Sequence, residues 1–311
     1  MTSTMTEFQR RAHAVALETQ ATICAGIEAL EREGGGSATF LSDEWARPGG
    51  GGGLTRVIQG DVIEKGGVNT SAVFGELSPQ FAAQMPGSGL TFFAAGVSLV
   101  LHPKNPHVPT VHANFRYIEH GDKQWVGGGA DLTPYYFDPE DKAHFHGVWR
   151  RYCDDHPGIG DYPRFCDWCD RYFYLRHRGE SRGVGGIFFD NLYADPTRPG
   201  HADALLAFIR DGGQRFLDAY LPIARRHLHT PYTPEQRRWQ ELRRGRYVEF
   251  NLIYDRGTVF GLKTGGRTES ILMSLPPHVQ WGYCEEPPEG TPEARLLHEL
   301  RRSFPGDEPR A

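Results

Sequence analysis

The fold is decided by residues 97–120, which read V-S-L-V-L-H-P-K-N-P-H-V-P-T-V-H-A-N-F-R-Y-I-E-H, and by residues 125–136, which read W-V-G-G-G-A-D-L-T-P-Y-Y. Segments 97–101 and 110–118 are rich in β-branched and aromatic residues, so each predicts a strand. The segment between them contains several prolines, each of which fixes its own φ and restricts the preceding residue. The stretch therefore predicts a strand, a rigid connection and a second strand.

One face of the second strand carries an unusual set of side chains. Because side chains alternate across a strand, His112, Asn114 and Arg116 lie on the same face. An imidazole, an amide and a guanidinium beside the expected glycine loop at 127–129 favour a functional site. A solvated sheet face would show the same spacing, so the pattern alone leaves both interpretations open.

Composition narrows the class of protein. The 311 residues suffice for one large domain or two ordinary ones, and the absence of a repeat or an obvious linker favours a single domain over 1–311. A net charge of −5 argues against broad nucleic-acid binding. The longest apolar run, 92–101, is too short to cross a bilayer, so we expect no membrane insertion. Five cysteines without a signal core indicate a cytoplasmic protein.

Periodicity and turn signals predict the remaining elements. Thr6–Glu33 has apolar residues at helical spacing, and 161–178 predicts another helix. Segments 246–254 and 258–263 flank Asp-Arg-Gly, which indicates a hairpin. The glycines at 49–53 predict a flexible loop and lack the Gly-Lys-Ser/Thr ending of a phosphate loop. Many hairpins and few βαβ alternations favour an α+β fold with a mostly antiparallel sheet.

Two arginines predict an anion-binding site. Arg116 on its strand and Arg267 after two glycines offer planar forks that pair with carboxylates. Ser98 and Asn114 can add neutral hydrogen bonds. Surface ion pairs would explain the same arginines. The residues alone therefore predict a pocket for a carboxylated, aromatic or apolar ligand.

The sequence offers candidates for acid/base catalysis and for metal binding, but it does not decide their roles. Asp190 follows three large apolar residues, so it is either a hydrogen-bonded structural group or a tuned acid or base. The four candidate metal ligands are His102, His112, His146 and His177, whose long spacings match no usual zinc motif. The Cys-x-x-Cys pair at 166–169 lacks a second pair to complete a zinc site.

Long motifs give the chain a family resemblance. Among them are H-P-K-N-P-H-V-P-T-V-H-A-N-F-R, G-G-G-A-D-L-T-P-Y-Y, G-V-G-G-I-F-F-D and F-G-L-K-T-G-G-R-T-E-S. Together they resemble oxygen-dependent coproporphyrinogen III oxidase over nearly the whole chain. The resemblance implies oxidative decarboxylation of two propionates of coproporphyrinogen III to vinyl groups, giving protoporphyrinogen IX in haem biosynthesis. It also implies a cytoplasmic homodimer with a large, flat antiparallel sheet and helices on both faces.

The resemblance also implies residue roles and cofactors. The substrate-binding residues would be Ser98, Asn114, Phe115, Arg116, Gly265, Gly266 and Arg267. The four histidines named above would hold a divalent metal, and His112 would also donate a proton. Dioxygen would be the co-substrate, with no flavin, haem or nicotinamide. The segment 246–277 would contribute to the dimer contact.

Departures and alternatives remain beside this resemblance. The family usually has two acids after I-F-F, whereas this chain has Asp190 and Asn191, which leaves Asp190 as the catalytic candidate. One alternative is a metal-dependent oxygenase or hydrolase built on the histidines. The other is a tetrapyrrole carrier without catalytic activity.

Overall fold

A computed structural model describes residues 5–263, 266–301 and 306 of the chain. Its central element is a seven-stranded sheet in the order β1-β2-β3-β4-β5-β6-β9, and every neighbouring pair is antiparallel. The strands are β1 Leu41–Ala46, β2 Gly51–Ile58, β3 Ile63–Glu76, β4 Thr91–Pro103, β5 Thr110–His120, β6 Lys123–Thr133, β7 Tyr174–Leu175, β8 Glu180–Ser181 and β9 Gly186–Tyr193. The short β7 and β8 form a separate hairpin.

Helices complete the predicted α+β class. They are α1 Glu7–Glu33, α2 Pro79–Ala82, α3 Pro139–Asp154, α4 Tyr162–Tyr172, α5 His201–His227, α6 Pro234–Ile253, α7 Arg256–Lys263, α8 Thr268–Leu272 and α9 Pro292–Leu300. The first helix begins where the sequence predicts. The Thr6 side chain accepts a hydrogen bond from the Gln9 N–H, and the Gln9 side-chain oxygen accepts one from the Thr6 N–H.

One face of the sheet holds the main hydrophobic core. Along β4, alternate residues such as Phe93 and Val97 are buried in this core, and so is the apolar stripe of α1. Helices α1, α3 and α5 cover this face. Burial of this apolar surface is the main force that fixes which side of each strand faces inward.

The opposite face, which carries Ser98, Asn114 and Arg116, is called the site face. We call the end near His102 the lower end of this face and the end near Phe92 the upper end. The lower end is covered, because Tyr247 of α6 packs edge-on against His102. Helix α8 also lies there, since the Ser270 carbonyl accepts from the Asn69 amide at 2.7 Å. Further along β4, the site-face residues Phe92, Ala94, Gly96 and Ser98 are only half-buried. Strand β4 is therefore covered on both faces only near His102.

Two glycine-rich segments are strands, although the sequence predicted loops. Gly51–Gly53 begins β2 and pairs with both β1 and β3. Gly127–Gly129 lies inside β6. At Gly127 a Cβ would lie 2.5 Å from an Asp190 carboxylate oxygen, so the packing of neighbouring side chains requires glycine. The prediction failed because ladder hydrogen bonds offset the low strand propensity of glycine.

The hairpin predicted at 246–263 is wrong, because α6 continues to Ile253 and α7 follows. Gly245 lies inside α6 and permits close packing, since a Cβ there would lie 2.7 Å from the Gln280 carbonyl oxygen. Residues Tyr247, Val248 and Asn251 are buried at helical spacing. Tertiary burial therefore overrides the local preference of this segment for a strand.

The helix predicted over 161–178 is shorter than expected. It ends at Tyr172, and the β7–β8 hairpin follows, so His177 lies in a turn rather than at a helix end. Phe173, just after the helix, packs with Phe188 and Phe250 in a second apolar cluster. That cluster redirects the chain onto the site face.

Candidate active site

The site face aligns polar residues from neighbouring strands. In the antiparallel register Ser98 lies opposite Asn114, and Gly96 lies opposite Arg116. Residues directly opposite each other share a face and lie about 5 Å apart. The register thus assembles Ser98, Asn114 and Arg116 as the sequence predicts.

Arg116 is the centre of this group. Its Nη1 donates to the Asn114 side-chain oxygen at 2.8 Å, and its Nη2 donates to Asp190 Oδ2 at 2.7 Å. The two charged side chains are 26% and 19% exposed, so a ligand on the site face can reach them. The geometry brings a carboxylate-binding group and an acid/base candidate into direct contact.

A β-bulge directs Asp190 towards Arg116. Two residues of β9, Asp190 and Asn191, oppose the single residue Gly127 of β6. Asn191 has φ of +53°, a left-handed conformation that asparagine tolerates better than most residues. The Asn191 N–H donates to Asp190 Oδ1 at 2.9 Å. The residue that departs from the family pattern therefore shapes the backbone at the site.

The floor beside Arg116 is formed by small residues. Gly53, Ser71 and Gly96 lie side by side on successive strands, between Trp45 and Arg116. The next row up is half-buried and apolar, and it consists of Val73, Ala94 and Ile118. A surface without bulky side chains, edged by charged groups, suits a broad apolar ligand that carries carboxylates.

A buried ion pair orients His112. Its Nδ1 lies 2.9 Å from Asp131 Oδ1, while Arg182 donates to both Asp131 oxygens at 2.6 and 3.1 Å. Burial alone would raise the pKa of Asp131, but the Arg182 charge and the His112 hydrogen bond lower it below its usual value. An ionised Asp131 accepts a hydrogen bond from the Nδ1–H of His112, so Nε2 is the nitrogen available to a ligand.

Arg182 is itself held among aromatic rings. Its guanidinium carbon lies 4.0 Å from the Phe173 ring centroid and 4.7 Å from those of Tyr247 and Phe250. The Asn251 side chain accepts another of its hydrogen bonds, at 3.1 Å. The Asp131–Arg182 pair is thus a rigid, buried support for His112.

Arg267 lies on the same face, just before α8. It donates to Asp43 of β1 in an ion pair, and it is 30% exposed. Asp43 lies opposite Thr55, whose hydroxyl contacts Ser270 at 2.7 Å. This chain of contacts places Arg267 over the β1–β2 side of the site face.

The family model of coproporphyrinogen III oxidase matches residues 11–304. The chain belongs to the coproporphyrinogen III oxidase family. It is therefore an oxidoreductase of haem biosynthesis that decarboxylates a tetrapyrrole substrate. In the part of the chain that the structure describes, none of the helices combines the length and apolar character needed to span a bilayer.

In this coproporphyrinogen oxidase family member, one predicted substrate-binding residue, Phe115, has its side chain away from the site face. The Phe115 side chain lies in the core on the opposite face, with its ring centroid 6.3 Å from that of Trp149, so only its backbone can face Asn114 and Arg116. Gly266 is exposed beside Arg267, whereas Gly265 lies outside the described residues.

The four candidate metal ligands do not converge. His102 contacts Thr110 and the Ser274 carbonyl, and burial followed by the charge of Arg244 lowers its pKa well below the usual value. The ring nitrogens of His146 contact the Tyr162 hydroxyl and the Val184 carbonyl. Those of His177 contact Tyr254 and Glu249 at 2.8 and 2.7 Å. This arrangement does not fit one ion bound by all four.

Among residues 5–263, 266–301 and 306, one group of three possible metal ligands has its ligand atoms close together: Asp138, Asp141 and His227. It lies at the junction of α3 and α5, and none of the predicted histidines belongs to it. The His227 Nε2 contacts Asp141 at 2.8 Å, which gives the group a structural explanation as an ion pair between helices.

Sequence reasoning missed Asp131, Arg182 and Trp45. Asp131 was part of the quoted glycine-rich motif, and its position opposite His112 follows from the β5–β6 register. A two-strand register built on the His120–Lys123 turn would have paired His112 with Asp131. No sequence signal identifies Arg182 as its partner, because that contact is made by a distant hairpin.

Proposed function

We propose that the chain catalyses the oxygen-dependent oxidative decarboxylation of two propionates of coproporphyrinogen III, giving protoporphyrinogen IX. The proposal rests on the Arg116–Asp190 contact, which lies on the site face beside a floor of small residues and the apolar row described above. A porphyrinogen has an apolar body and four propionates, so it needs both features. The alternative of a carrier without activity has no specific observation in its favour.

Substrate binding is assigned first to Arg116. Its guanidinium pairs with a propionate through charge-assisted hydrogen bonds, which are about twice as strong as neutral ones. Asn114 and Ser98 add neutral hydrogen bonds from neighbouring positions on β5 and β4. Arg267 binds a second propionate on the β1–β2 side once that carboxylate displaces Asp43.

Proton transfer is assigned to Asp190 and His112. Asp190 accepts from Arg116 and from the Asn191 N–H, which hold its carboxylate in place to take a proton from the pyrrole N–H. His112 lies two residues before Asn114 on the same face, and its Nδ1 is fixed by Asp131. Its Nε2 is the proton donor or acceptor of the site.

The electrons come from the substrate in this proposal. Each propionate loses carbon dioxide and a hydrogen from its β-carbon, and the two electrons released reduce dioxygen. Written with the neutral acid, R-CH₂-CH₂-COOH and O₂ give R-CH=CH₂, CO₂ and H₂O₂, which balances atoms and electrons. Deprotonation of the pyrrole makes it a better reductant towards dioxygen, so no flavin, haem or nicotinamide is required.

The Cys166 and Cys169 thiols have no role in this proposal. Burial raises the pKa of Cys166 to about 11 and that of Cys169 well above its usual value. A divalent metal stays a prediction from the resemblance, and no step of the proposed mechanism depends on it.

A cytoplasmic homodimer completes the proposal. Leu252, Ile253 and Leu262 are 45%, 55% and 41% exposed at the ends of α6 and α7, within the predicted dimer segment 246–277. Exposed apolar residues close together are typical of a contact surface. Replacing Ile253 by Glu should convert a dimer to a monomer in light scattering. A monomeric wild-type chain would contradict the proposal.

The activity is tested with purified chain and coproporphyrinogen III under air. We expect protoporphyrinogen IX and one molecule of oxygen consumed for each vinyl group formed. Binding of the substrate without oxygen uptake would instead favour the carrier.

A further inference from the structure

The turn between β1 and β2 carries another arginine over the site face. The guanidinium carbon of Arg47 lies 5.5 Å from the centroid of the Phe92 ring. Its Nη1 also donates to the Phe74 carbonyl at 3.2 Å. Phe92 and Ser98 are six residues apart on β4, so they share a face. Arg47 therefore lies at the upper end of the face that carries the candidate site.

Glycines allow this turn to lie against the sheet. A Cβ at Gly75 would be 2.7 Å from the Gly49 carbonyl oxygen, and Gly75 has φ of +143°. Gly50, in the turn itself, has φ of +117°. Any other residue at these two positions would be strained or would push the turn away. The glycine-rich segment thus places Arg47 over Phe92.

Arg47 differs from Arg116 and Arg267 in its ion pairing. Arg116 is paired with Asp190, and Arg267 is paired with Asp43. No carboxylate of residues 5–263, 266–301 or 306 lies within ion-pair distance of Arg47, which is half-buried. An incoming carboxylate would therefore compete at Arg47 with the Phe74 carbonyl and with no carboxylate of the described residues.

An apolar surface separates Arg47 from Arg116. The apolar row of Val73, Ala94 and Ile118 lies between Arg47 and the small-residue floor. From Phe92 to Gly96, which is opposite Arg116, the strand rises about 13 Å at ~3.3 Å per residue. Two guanidinium groups at the ends of an apolar surface match a ligand with carboxylates on opposite sides.

We propose that Arg47 binds a carboxylate of the substrate at the upper end of the site face, with Phe92 as the apolar wall beneath it. The assignment rests on the proposed function, because it assumes that the tetracarboxylate occupies the site face. Arg47 is a binding residue and takes no part in proton transfer.

The test compares Arg47→Met with a matched control. Arg11→Met removes an arginine that also lies over a ring, 5.3 Å from the Phe8 centroid, but on α1 at the opposite side of the sheet. Arg47→Lys keeps the charge and loses the planar fork. Equilibrium binding is measured with coproporphyrin III, the aromatic tetracarboxylate, and with its tetramethyl ester in the same detergent buffer.

We expect Arg47→Met to weaken binding of the tetracarboxylate about tenfold, since a hydrogen bond to a charged group is lost. Binding of the ester should not change, Arg47→Lys should be intermediate, and Arg11→Met should match wild type. In turnover, KM should rise while kcat is retained.

Equal affinities of wild type and Arg47→Met for the tetracarboxylate would overturn the inference. So would an equal loss of tetracarboxylate and ester binding, which would assign Arg47 a structural role in the turn. If the wild-type chain binds the tetracarboxylate but forms no product, the proposed function fails, and the binding data still decide the role of Arg47.

Discussion

Replacing Asp190 by Asn isolates the role of the carboxylate at the site. The substitution keeps the shape of the side chain and an oxygen that can accept from the Asn191 N–H. It removes the negative charge that Arg116 contacts at 2.7 Å and the ability to take a proton. The bulge that positions residue 190 is a backbone feature of β9, so it should persist.

The expected effects on stability and turnover differ in size. The Arg116–Asp190 pair is partly exposed, so its loss should cost about 1 kcal/mol and lower Tm by a few degrees. Loss of a positioned acid or base costs about 100-fold or more in rate. Arg116 is no longer neutralised in the variant, so carboxylate binding should not weaken. We therefore expect kcat to fall at least about 100-fold with KM unchanged or lower.

The assay follows oxygen uptake and porphyrin fluorescence after oxidation of the product. Asp203→Asn is the control, because Asp203 contacts Arg11 at 2.6 Å in an exposed ion pair away from the site face. The control should keep wild-type kcat and KM. A folded Asp190→Asn variant with kcat within about threefold of wild type would refute the assignment of Asp190 as the group that transfers the proton.

Three further predictions test the supports of the site. Asp131→Asn should destabilise the protein by about 3–5 kcal/mol in urea unfolding, because it leaves the buried Arg182 charge uncompensated; a loss below about 1 kcal/mol would contradict this. Burial would raise the pKa of Glu249, but its hydrogen bonds to arginine and histidine lower it to about 2. Its stabilising contribution is therefore complete above its unfolded pKa of 4.5 and is lost as pH falls towards 2, up to about 3 kcal/mol. The difference in unfolding free energy between wild type and Glu249→Gln should vanish over that range, and a pH-independent difference would be inconsistent with it. Arg267→Met should raise KM about tenfold at unchanged kcat, whereas Asp43→Asn should lower KM or leave it unchanged; equal KM for wild type and Arg267→Met would exclude Arg267 from binding.

The sheet and part of the site could be predicted because they depend on local alternation. The positions of His112, Asn114 and Arg116 on one face follow from period two alone, and β5 begins at Thr110 as predicted. The side of the sheet on which Phe115 lies follows from the same rule. Its assignment to substrate binding came from the resemblance, and the alternation places its side chain in the core.

The remaining parts depend on contacts between residues far apart in the chain. Arg182 approaches Asp131 only after the β7–β8 hairpin packs against α6, and no local pattern encodes that contact. The glycines of β2 and β6 have strand conformation because neighbouring strands pair with them. Segment 246–254 is helical because its inner face is buried, although its residues favour a strand locally.

The most direct test of the central claim measures product from coproporphyrinogen III with and without dioxygen, before and after exhaustive chelation. We predict protoporphyrinogen IX only when dioxygen is present, with no loss of activity after chelation, because no proposed step uses a metal. Product lost on chelation and restored by a divalent ion would make a metal part of the mechanism. Product formed in the strict absence of dioxygen, or none under air, would refute the proposed oxygen-dependent reaction.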